Sequence, residues 1–165
     1  MVYNESYRIK KKSLSYQDAK LKAADFCAYQ ERSQQEVRDK LYTYGLHKDE
    51  VEKLLSELIT KNFVNEERFA IAYAGGKYRM KSWGKNKILQ GLRQHKISQY
   101  CINKALREID DKDYNESIKR LIEQKKASIR NIGGFQSKQK IARYLMQKGY
   151  EQQLVWDHLK TFDEL

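Results

Sequence analysis

Proline is missing from the sequence altogether, and only eight of the 165 residues are glycine. Without proline nothing interrupts helices, and the turn residues that separate the strands of sandwiches and barrels are scarce. Long stretches consist instead of Lys, Gln, Glu, Leu and Ala, which are good helix formers. We therefore expect an all-α protein.

Cysteine is also scarce, since only Cys27 and Cys101 occur and they lie far apart in the chain. No CxxC motif and no Cys/His cluster is present, which argues against a disulfide framework and against a zinc site. Both cysteines stand in apolar patterns, so we expect buried free thiols. Free thiols favour a reducing compartment.

Long apolar runs are absent as well, and none approaches the roughly 18 residues of a membrane span. The opening residues, MVYNESYRIKKK, lack the apolar segment of a signal peptide. We therefore expect a cytoplasmic protein with no membrane partner.

The sequence also has no P-loop, no GxGxxG motif and no catalytic constellation of His, Cys or carboxylate residues. We expect neither enzyme activity nor a cofactor nor a metal.

What the chain does contain is an internal repeat. Segments that begin at Ser33, Gly84 and Ser137 align without gaps over 26 residues. Apolar residues coincide at six positions, with the spacing of two core-facing helices joined by a turn. The coincident sets are Val37, Ile88, Ile141; Leu41, Leu92, Leu145; Leu46, Ile97, Tyr150; Val51, Ile102, Val155; Leu55, Leu106, Leu159; and Leu58, Ile109, Phe162.

Another helical stretch precedes each pair of helices. The sequence thus predicts an elongated tandem array of three three-helix modules. Its parts are an N-terminal arm over 1–14, a first module over 15–63, a second over 64–111 and a third over 112–165. Because roughly 50 residues bury little apolar surface alone, neighbouring modules should stabilise one another.

The turn inside each repeat carries a glycine in two of the three modules. Gly45 and Gly149 follow the end of a helix, where a left-handed cap is common. Lys96 takes this place in the second module. We therefore expect a different cap there.

Charge is distributed unevenly over these modules. The formal net charge of +11 should attract polyanions, such as nucleic acid, an anionic membrane or an acidic protein surface. Residues 19–63 hold eight basic and eight acidic side chains, whereas residues 64–111 hold ten and five. The first module is therefore neutral, and the second and third modules carry most of the excess.

Two long segments contain no acidic residue: 69–107 and 124–150. A solvated helical face normally mixes both signs, so long runs of one sign indicate a functional field. One repeat position shows the change, because Glu36 corresponds to Lys87 and Lys140. The predicted contact residues for DNA or a protein partner are Lys77, Arg79, Lys81, Lys85, Lys87, Arg93, Lys96, Lys125, Lys126, Arg130, Lys138, Lys140 and Arg143.

Aromatic residues are interleaved with the first basic segment. They are Tyr73, Tyr78, Trp83 and Tyr100. Basic and aromatic residues together are typical of a groove for single-stranded nucleic acid. Packing is the favoured interpretation for Tyr73 and Trp83, and both interpretations stay open for Tyr78.

Three motifs resemble those of a known family. The patterns are RSxxEVxxKL at 32–41, NEERFA at 65–70 and WGxxKIxxxL at 83–92. Their order and spacing resemble the RecX family of bacterial regulatory proteins over nearly the whole chain. The sequence departs from the family at Asn65, where Asp is usual, and at Lys96, where glycine is usual.

We expect a monomer. The resemblance implies that it binds the RecA recombinase and its filament on single- or double-stranded DNA. Such proteins modulate the filament, mainly by inhibiting its recombination and ATPase activities, and thereby regulate DNA repair. The alternative is a helical module that binds DNA without sequence preference and without a recombinase partner. A nucleic-acid-modifying enzyme ranks last, because no catalytic constellation is present.

Overall fold

The computed structural model describes residues 13–129 and 134–161. These ranges contain nine α-helices and no strand, so the predicted all-α class is confirmed. The helices are α1 (Tyr16–Tyr29), α2 (Gln34–Thr43), α3 (Lys48–Thr60), α4 (Glu66–Lys81), α5 (Lys85–Gln94), α6 (Gln99–Arg107), α7 (Asp111–Ser128), α8 (Gly134–Gln147) and α9 (Gln152–Thr161).

The helices follow one another as three sets of three, and the chain divides into two compact units. Unit 1 is Met1–Asn65 and holds α1 to α3, while unit 2 is Glu66–Leu165 and holds α4 to α9. Of the predicted N-terminal arm, residues 1–12 lie outside the described ranges. At its end, the Leu14 N–H donates to the carbonyl oxygen of Tyr44 at 2.9 Å. The exact limits of the modules stay a prediction.

The repeated apolar positions form the core. Val37, Ile88 and Ile141, the first coincident set, are all buried. Burial holds for the other sets within the described ranges, except that Leu106 is only partly buried. Phe162 lies outside the described residues. The helical spacing read from the sequence thus identified the buried face of each repeat.

All three turns within the repeats adopt the same left-handed backbone. The φ angle is 84° at Gly45, 97° at Gly149 and 57° at Lys96. The prediction of a different cap at Lys96 is therefore wrong. Glycine is preferred in this backbone conformation, but a lysine can adopt it when hydrogen bonds and burial in the turn offset the conformational strain. The Lys96 N–H donates to Arg93 O at 2.9 Å, and buried Ile97 donates to Leu92 O at 3.1 Å.

The described residues form two hydrophobic cores. One lies within unit 1, and the other runs through α4 to α9 without interruption. Tyr114 of α7 is at the centre of the second core, with its ring centroid 6.0 Å from that of Tyr78 and 5.1 Å from that of Tyr150. The second and third modules therefore share one apolar interior, in line with the expected mutual stabilisation.

Both cysteines are free and buried, as predicted. Burial raises the pKa of the Cys27 thiol to about 11, and burial also raises that of Cys101. Both thiols are therefore protonated at neutral pH. None of the helices in the described ranges combines the length and the apolar character that crossing a bilayer requires.

Candidate nucleic-acid interface

The predicted contact residues that the structure describes all belong to unit 2. Lys77, Arg79 and Lys81 are near the end of α4, and Lys85, Lys87 and Arg93 are on α5, with Lys96 in the following turn. Lys125 and Lys126 end α7, and Lys138, Lys140 and Arg143 lie on α8. Arg130 lies outside the described residues.

The two acid-free segments meet where two tight turns touch through their backbones. The Gly84 N–H donates to Lys148 O at 2.8 Å, and the Asn86 N–H donates to Gly149 O at 3.0 Å. A Cβ atom on Gly84 would lie 2.3 Å from the Gly149 carbonyl carbon, so no other residue fits without a shift. Glycine at 84 thus brings the start of α5 against the end of α8.

The start of α5 depends on groups from the third module. Gly84 precedes the helix and offers no side-chain cap. Instead, the Lys85 N–H donates to Tyr114 Oη at 2.9 Å, and the Tyr114 hydroxyl donates to Glu151 Oε2 at 2.6 Å. Burial, followed by the bond to Glu151, raises the pKa of Tyr114, so the hydroxyl keeps its proton. These bonds fix the position of the first basic residues of α5.

Four lysines are held against two aromatic rings at this junction. The Nζ atoms of Lys77 and Lys87 lie 5.0 Å and 4.8 Å from the ring centroid of Trp83. Those of Lys125 and Lys148 lie 5.0 Å and 5.5 Å from the ring centroid of Tyr144. Cation–π attraction of this kind orders the side chains without neutralising them. We call Lys77, Lys87, Lys125 and Lys148 the lysine track.

Contacts with backbone carbonyl groups connect the two halves of the lysine track. Lys87 Nζ donates to Gln147 O at 3.5 Å, and Lys148 Nζ donates to Lys81 O at 3.3 Å. Within the ranges that the structure describes, no carboxylate is ion-paired with any of the four lysines. The lysine track therefore combines positive groups from the second and third modules without an internal counter-charge.

A cleft continues the lysine track between α7 and α8. Its volume is about 540 Å³, and we call it the third-module cleft. Three basic side chains line it together with one aromatic, one aliphatic and two polar side chains. The lining residues are Lys125, Lys140, Arg143, Tyr144, Ile129, Ser128 and Gln147.

The structure separates the other predicted residues from this arrangement. Lys85 is bound to Asp111 Oδ1 at 2.9 Å, so part of its charge is already compensated. Arg93 and Lys96 are exposed at the opposite end of α5 from Lys87. Arg79, Lys81, Lys126 and Lys138 belong neither to the lysine track nor to the lining of the cleft.

Lys148 is the residue that sequence reasoning missed. It belongs to the acid-free segment 124–150 but was not among the predicted contact residues. The feature of the sequence that could have identified Lys148 is its position directly before Gly149. The turn at Gly149 is hydrogen-bonded to the backbone at Gly84 in the folded chain. The docking itself requires tertiary structure and is not visible in the sequence.

The aromatic residues of the first basic segment have different environments. Tyr73 and Trp83 pack against the core, as favoured from the sequence, and Tyr78 packs there too. The Tyr78 and Ser117 hydroxyls are hydrogen-bonded at 2.7 Å. Tyr100, in contrast, is 70% exposed. Only Tyr100 thus presents most of its ring to solvent.

Across 13–129 and 134–161, no three His, Cys, Asp or Glu side chains are grouped so that they could hold a metal ion. His158 is half-buried and hydrogen-bonded to Asn115 Oδ1 at 2.7 Å, and burial lowers its pKa. What the arrangement offers chemically is a positively charged surface ordered by aromatic rings.

Comparison with known proteins finds one family along most of the chain. Models of the first, second and third three-helix domains of RecX match residues 19–58, 65–106 and 112–159. Each match lies inside one of the three modules expected from the repeat. The family models therefore follow the same order of modules as the chain.

Several curated relatives are named "Regulatory protein RecX". The one from Clostridium perfringens (strain 13 / Type A) is 30% identical over 122 residues, which are 73% of this chain and 57% of the relative. The one from Clostridium botulinum (strain Eklund 17B / Type B) is 30% identical over 131 residues, 78% of this chain and 61% of the relative. The chain thus spans about three fifths of the length of these two relatives.

Solved structures share the fold. The crystal structure of RecX from Lactobacillus salivarius has a TM-score of 0.82 and 22% identity, and the match covers 91% of this chain and 97% of that one. A second structure, of a regulatory protein RecX, has a TM-score of 0.75 and 24% identity over 86% of this chain and 73% of the other. These two likenesses show the fold, and the three domain models together with the curated relatives show that the chain belongs to the RecX family.

Proposed function

We propose that this chain regulates the RecA recombinase by binding its filament on DNA, and that it mainly inhibits recombination and ATP hydrolysis. Family membership supports a regulatory role. The observation that carries the proposal is the basic surface of unit 2, made of the lysine track and the third-module cleft. This surface lies on two modules, and no carboxylate among the described residues is ion-paired with the track.

A surface of this kind suits a nucleic-acid filament for electrostatic reasons. Duplex DNA carries one negative charge per about 1.7 Å of helix axis, and lysines that neutralise phosphates release condensed counterions. Because Trp83 and Tyr144 already order the track lysines, less side-chain entropy is lost on binding. The surface therefore supports binding to phosphate groups rather than reading of base sequence.

Unit 1 has a different role in this proposal. Residues 19–63 have no net charge, so this part of the chain contributes little to DNA attraction. Its helix α1 exposes Leu21 and Tyr29, whose exposed fractions are 67% and 83%. We assign unit 1 to contacts with the recombinase protein, because its residues 19–63 lack net charge and exposed tyrosines such as Tyr29 are typical anchors in protein interfaces.

The test is a titration of the full chain into a RecA ATPase assay on single-stranded DNA. We expect inhibition at amounts far below those that saturate the DNA. The triple variant Lys77→Glu, Lys87→Glu, Lys148→Glu should inhibit at least roughly tenfold less well, because like charges would then face phosphates. The control variant Lys112→Glu, Lys119→Glu, Lys160→Glu makes the same change of net charge at exposed lysines of unit 2 outside the track and the cleft.

Two outcomes would contradict the proposal. If excess protein changes neither ATP hydrolysis nor strand exchange, the chain does not regulate the recombinase. If inhibition occurs only once the DNA is saturated, the chain competes for DNA, and the helical DNA-binding module without a recombinase partner is the better description. The same basic surface favours this second candidate.

A further inference from the structure

We propose that the third-module cleft binds a backbone phosphate of a DNA strand, with Lys140, Arg143 and Lys125 as its ligands. This inference rests on the proposed function, because it takes DNA as a partner. It goes further by choosing DNA over an acidic recombinase surface for one defined site. It also assigns the cleft to a single kind of chemical group.

Size and lining argue for a nucleotide as occupant. A volume of about 540 Å³ is in the range of roughly 300–1,000 Å³ that small-molecule sites occupy. A partner helix would need an apolar groove to receive its anchors. Of the seven lining side chains only Ile129 and Tyr144 are aliphatic or aromatic, whereas three are cationic. The lining therefore suits a small anion better than a protein segment.

The charges of the cleft come from two helices and converge on one space. Lys125 projects from the end of α7, and Lys140 and Arg143 are exposed on α8. None of the three is ion-paired with a carboxylate in the part of the chain that the structure describes. Bringing like charges together is unfavourable unless an anion offsets it, and the planar guanidinium of Arg143 can bind a phosphate through two parallel bonds.

The repeat shows that these cations are not required by the fold. Lys140 corresponds to Lys87 of the lysine track and to Glu36 of the first module. Arg143 corresponds to Gln90 and Asp39. Because equivalent positions hold acidic, neutral and basic residues, the shared framework does not by itself require positive charge at 140 and 143.

The cleft also continues the lysine track, so a DNA strand bound along the track would extend into the cleft. Lys125 belongs to both, and Tyr144, whose ring lies beside Lys125 and Lys148, also lines the cleft. Gln147, another lining residue, accepts the bond from Lys87 Nζ through its carbonyl oxygen. A strand that lies along Lys87 and Lys148 therefore reaches the cleft with its next phosphates. The arrangement places one phosphate of that strand between α7 and α8.

The experiment measures the affinity of the full chain for a fluorescein-labelled oligothymidine of about 20 nucleotides, by fluorescence anisotropy at several salt concentrations. The cleft variant is Lys140→Gln, Arg143→Gln. The control is Lys22→Gln, Lys112→Gln, which removes the same charge from exposed lysines outside the cleft. Circular dichroism and the thermal midpoint verify that both variants fold.

We expect the cleft variant to bind roughly tenfold more weakly at low salt. The slope of log Kd against log salt should fall by about 0.7, since one phosphate contact on a single strand contributes about that much. The control should keep the slope of the parent chain. Equal slopes in all three proteins, or the same decrease in the control, would overturn the inference.

A parallel ATPase titration with the recombinase separates this inference from the proposed function. If the cleft variant binds DNA like the parent chain but inhibits less, the cleft contacts an acidic recombinase surface, and the inference fails while the proposed function stands. If the parent chain does not inhibit at all but the cleft variant still loses DNA affinity, the proposed function fails and the inference stands.

Discussion

Helices α2 and α5 occupy the same place in the repeat, yet they begin in different ways. Ser33 caps α2 within its own module: its hydroxyl accepts from the Glu36 N–H at 3.1 Å, and its own N–H donates to Glu36 Oε2 at 2.8 Å. Gly84 has no side chain to do this. The first N–H groups of α5 are bound instead by Tyr114 and Gly149 of the third module.

This difference explains how one framework carries opposite charges. In the first module a carboxylate at position 36 completes the capping box, so the residue is part of the fold. In the second module the neighbouring module provides that stabilisation, and the equivalent position is free to hold Lys87. The self-contained module is neutral, and the dependent pair of modules is basic.

The largest effect is expected at Gly84. Gly84→Ala should lower the free energy of unfolding of unit 2 by about 3 kcal/mol, because the new Cβ atom would collide with the backbone of Gly149. Both tryptophans, Trp83 and Trp156, lie in unit 2, so their fluorescence during urea unfolding reports on this unit. The part of the circular dichroism signal that comes from unit 1 should keep its midpoint.

Gly76 provides the matched control for Gly84. It lies within α4, and a Cβ atom there would meet nothing within 4 Å. Gly76→Ala should therefore stabilise unit 2 by about 1 kcal/mol, since alanine favours the helix. If both glycine variants changed the stability equally, the contact between the turns at Gly84 and Gly149 would not contribute specifically to the stability of unit 2.

Reversing the charge at Glu36 should change the stability less than Gly84→Ala does. Glu36→Lys should destabilise unit 1 by about 1 kcal/mol, because the bond to the Ser33 N–H is lost and a cation is placed near a helix start. The reciprocal change, Lys87→Glu, should stay within roughly 0.5 kcal/mol, because the Gly84 N–H already donates to Lys148 O. Urea unfolding followed by circular dichroism measures both; a larger loss for Lys87→Glu would refute the comparison.

The smallest expected effect concerns the turn at Lys96. Lys96→Gly should stabilise unit 2 by up to about 1 kcal/mol, because glycine adopts the left-handed backbone without strain. Lys96→Ala keeps the strain but removes the lysine side chain, and it should give no such gain. The tryptophan unfolding midpoint distinguishes the two variants.

Much of the fold was predictable because it depends on local spacing. Val37 and Leu41 recur as Ile88 and Leu92 four residues apart, and this pattern alone identified a buried face that the structure confirms. The shape of the turn at Lys96 was not predictable in this way. A residue preference of about 1 kcal/mol can be overridden by hydrogen bonds and by burial of the next residue, Ile97.

The sequence predicted which part of the chain is basic, but not how the side chains of the candidate site are arranged. The acid-free segments identified the basic part of the chain, but they did not separate Lys87, which lies beside Trp83, from Lys85, which is bound to Asp111. They also missed the importance of Lys148. These distinctions depend on the contact between residues 84 and 149, which are far apart in sequence and meet only in the folded chain.

The dependence of α5 on Tyr114 and Gly149 also limits how such a chain can change its number of modules during evolution. A module that caps its own helix, as the first one does with Ser33, can be duplicated or lost as a cassette. The second and third modules must be copied or deleted together, because either one alone would leave a helix start or a shared core open to water. We therefore expect the first module to be gained or lost by itself, and the second and third modules to be gained or lost as a pair.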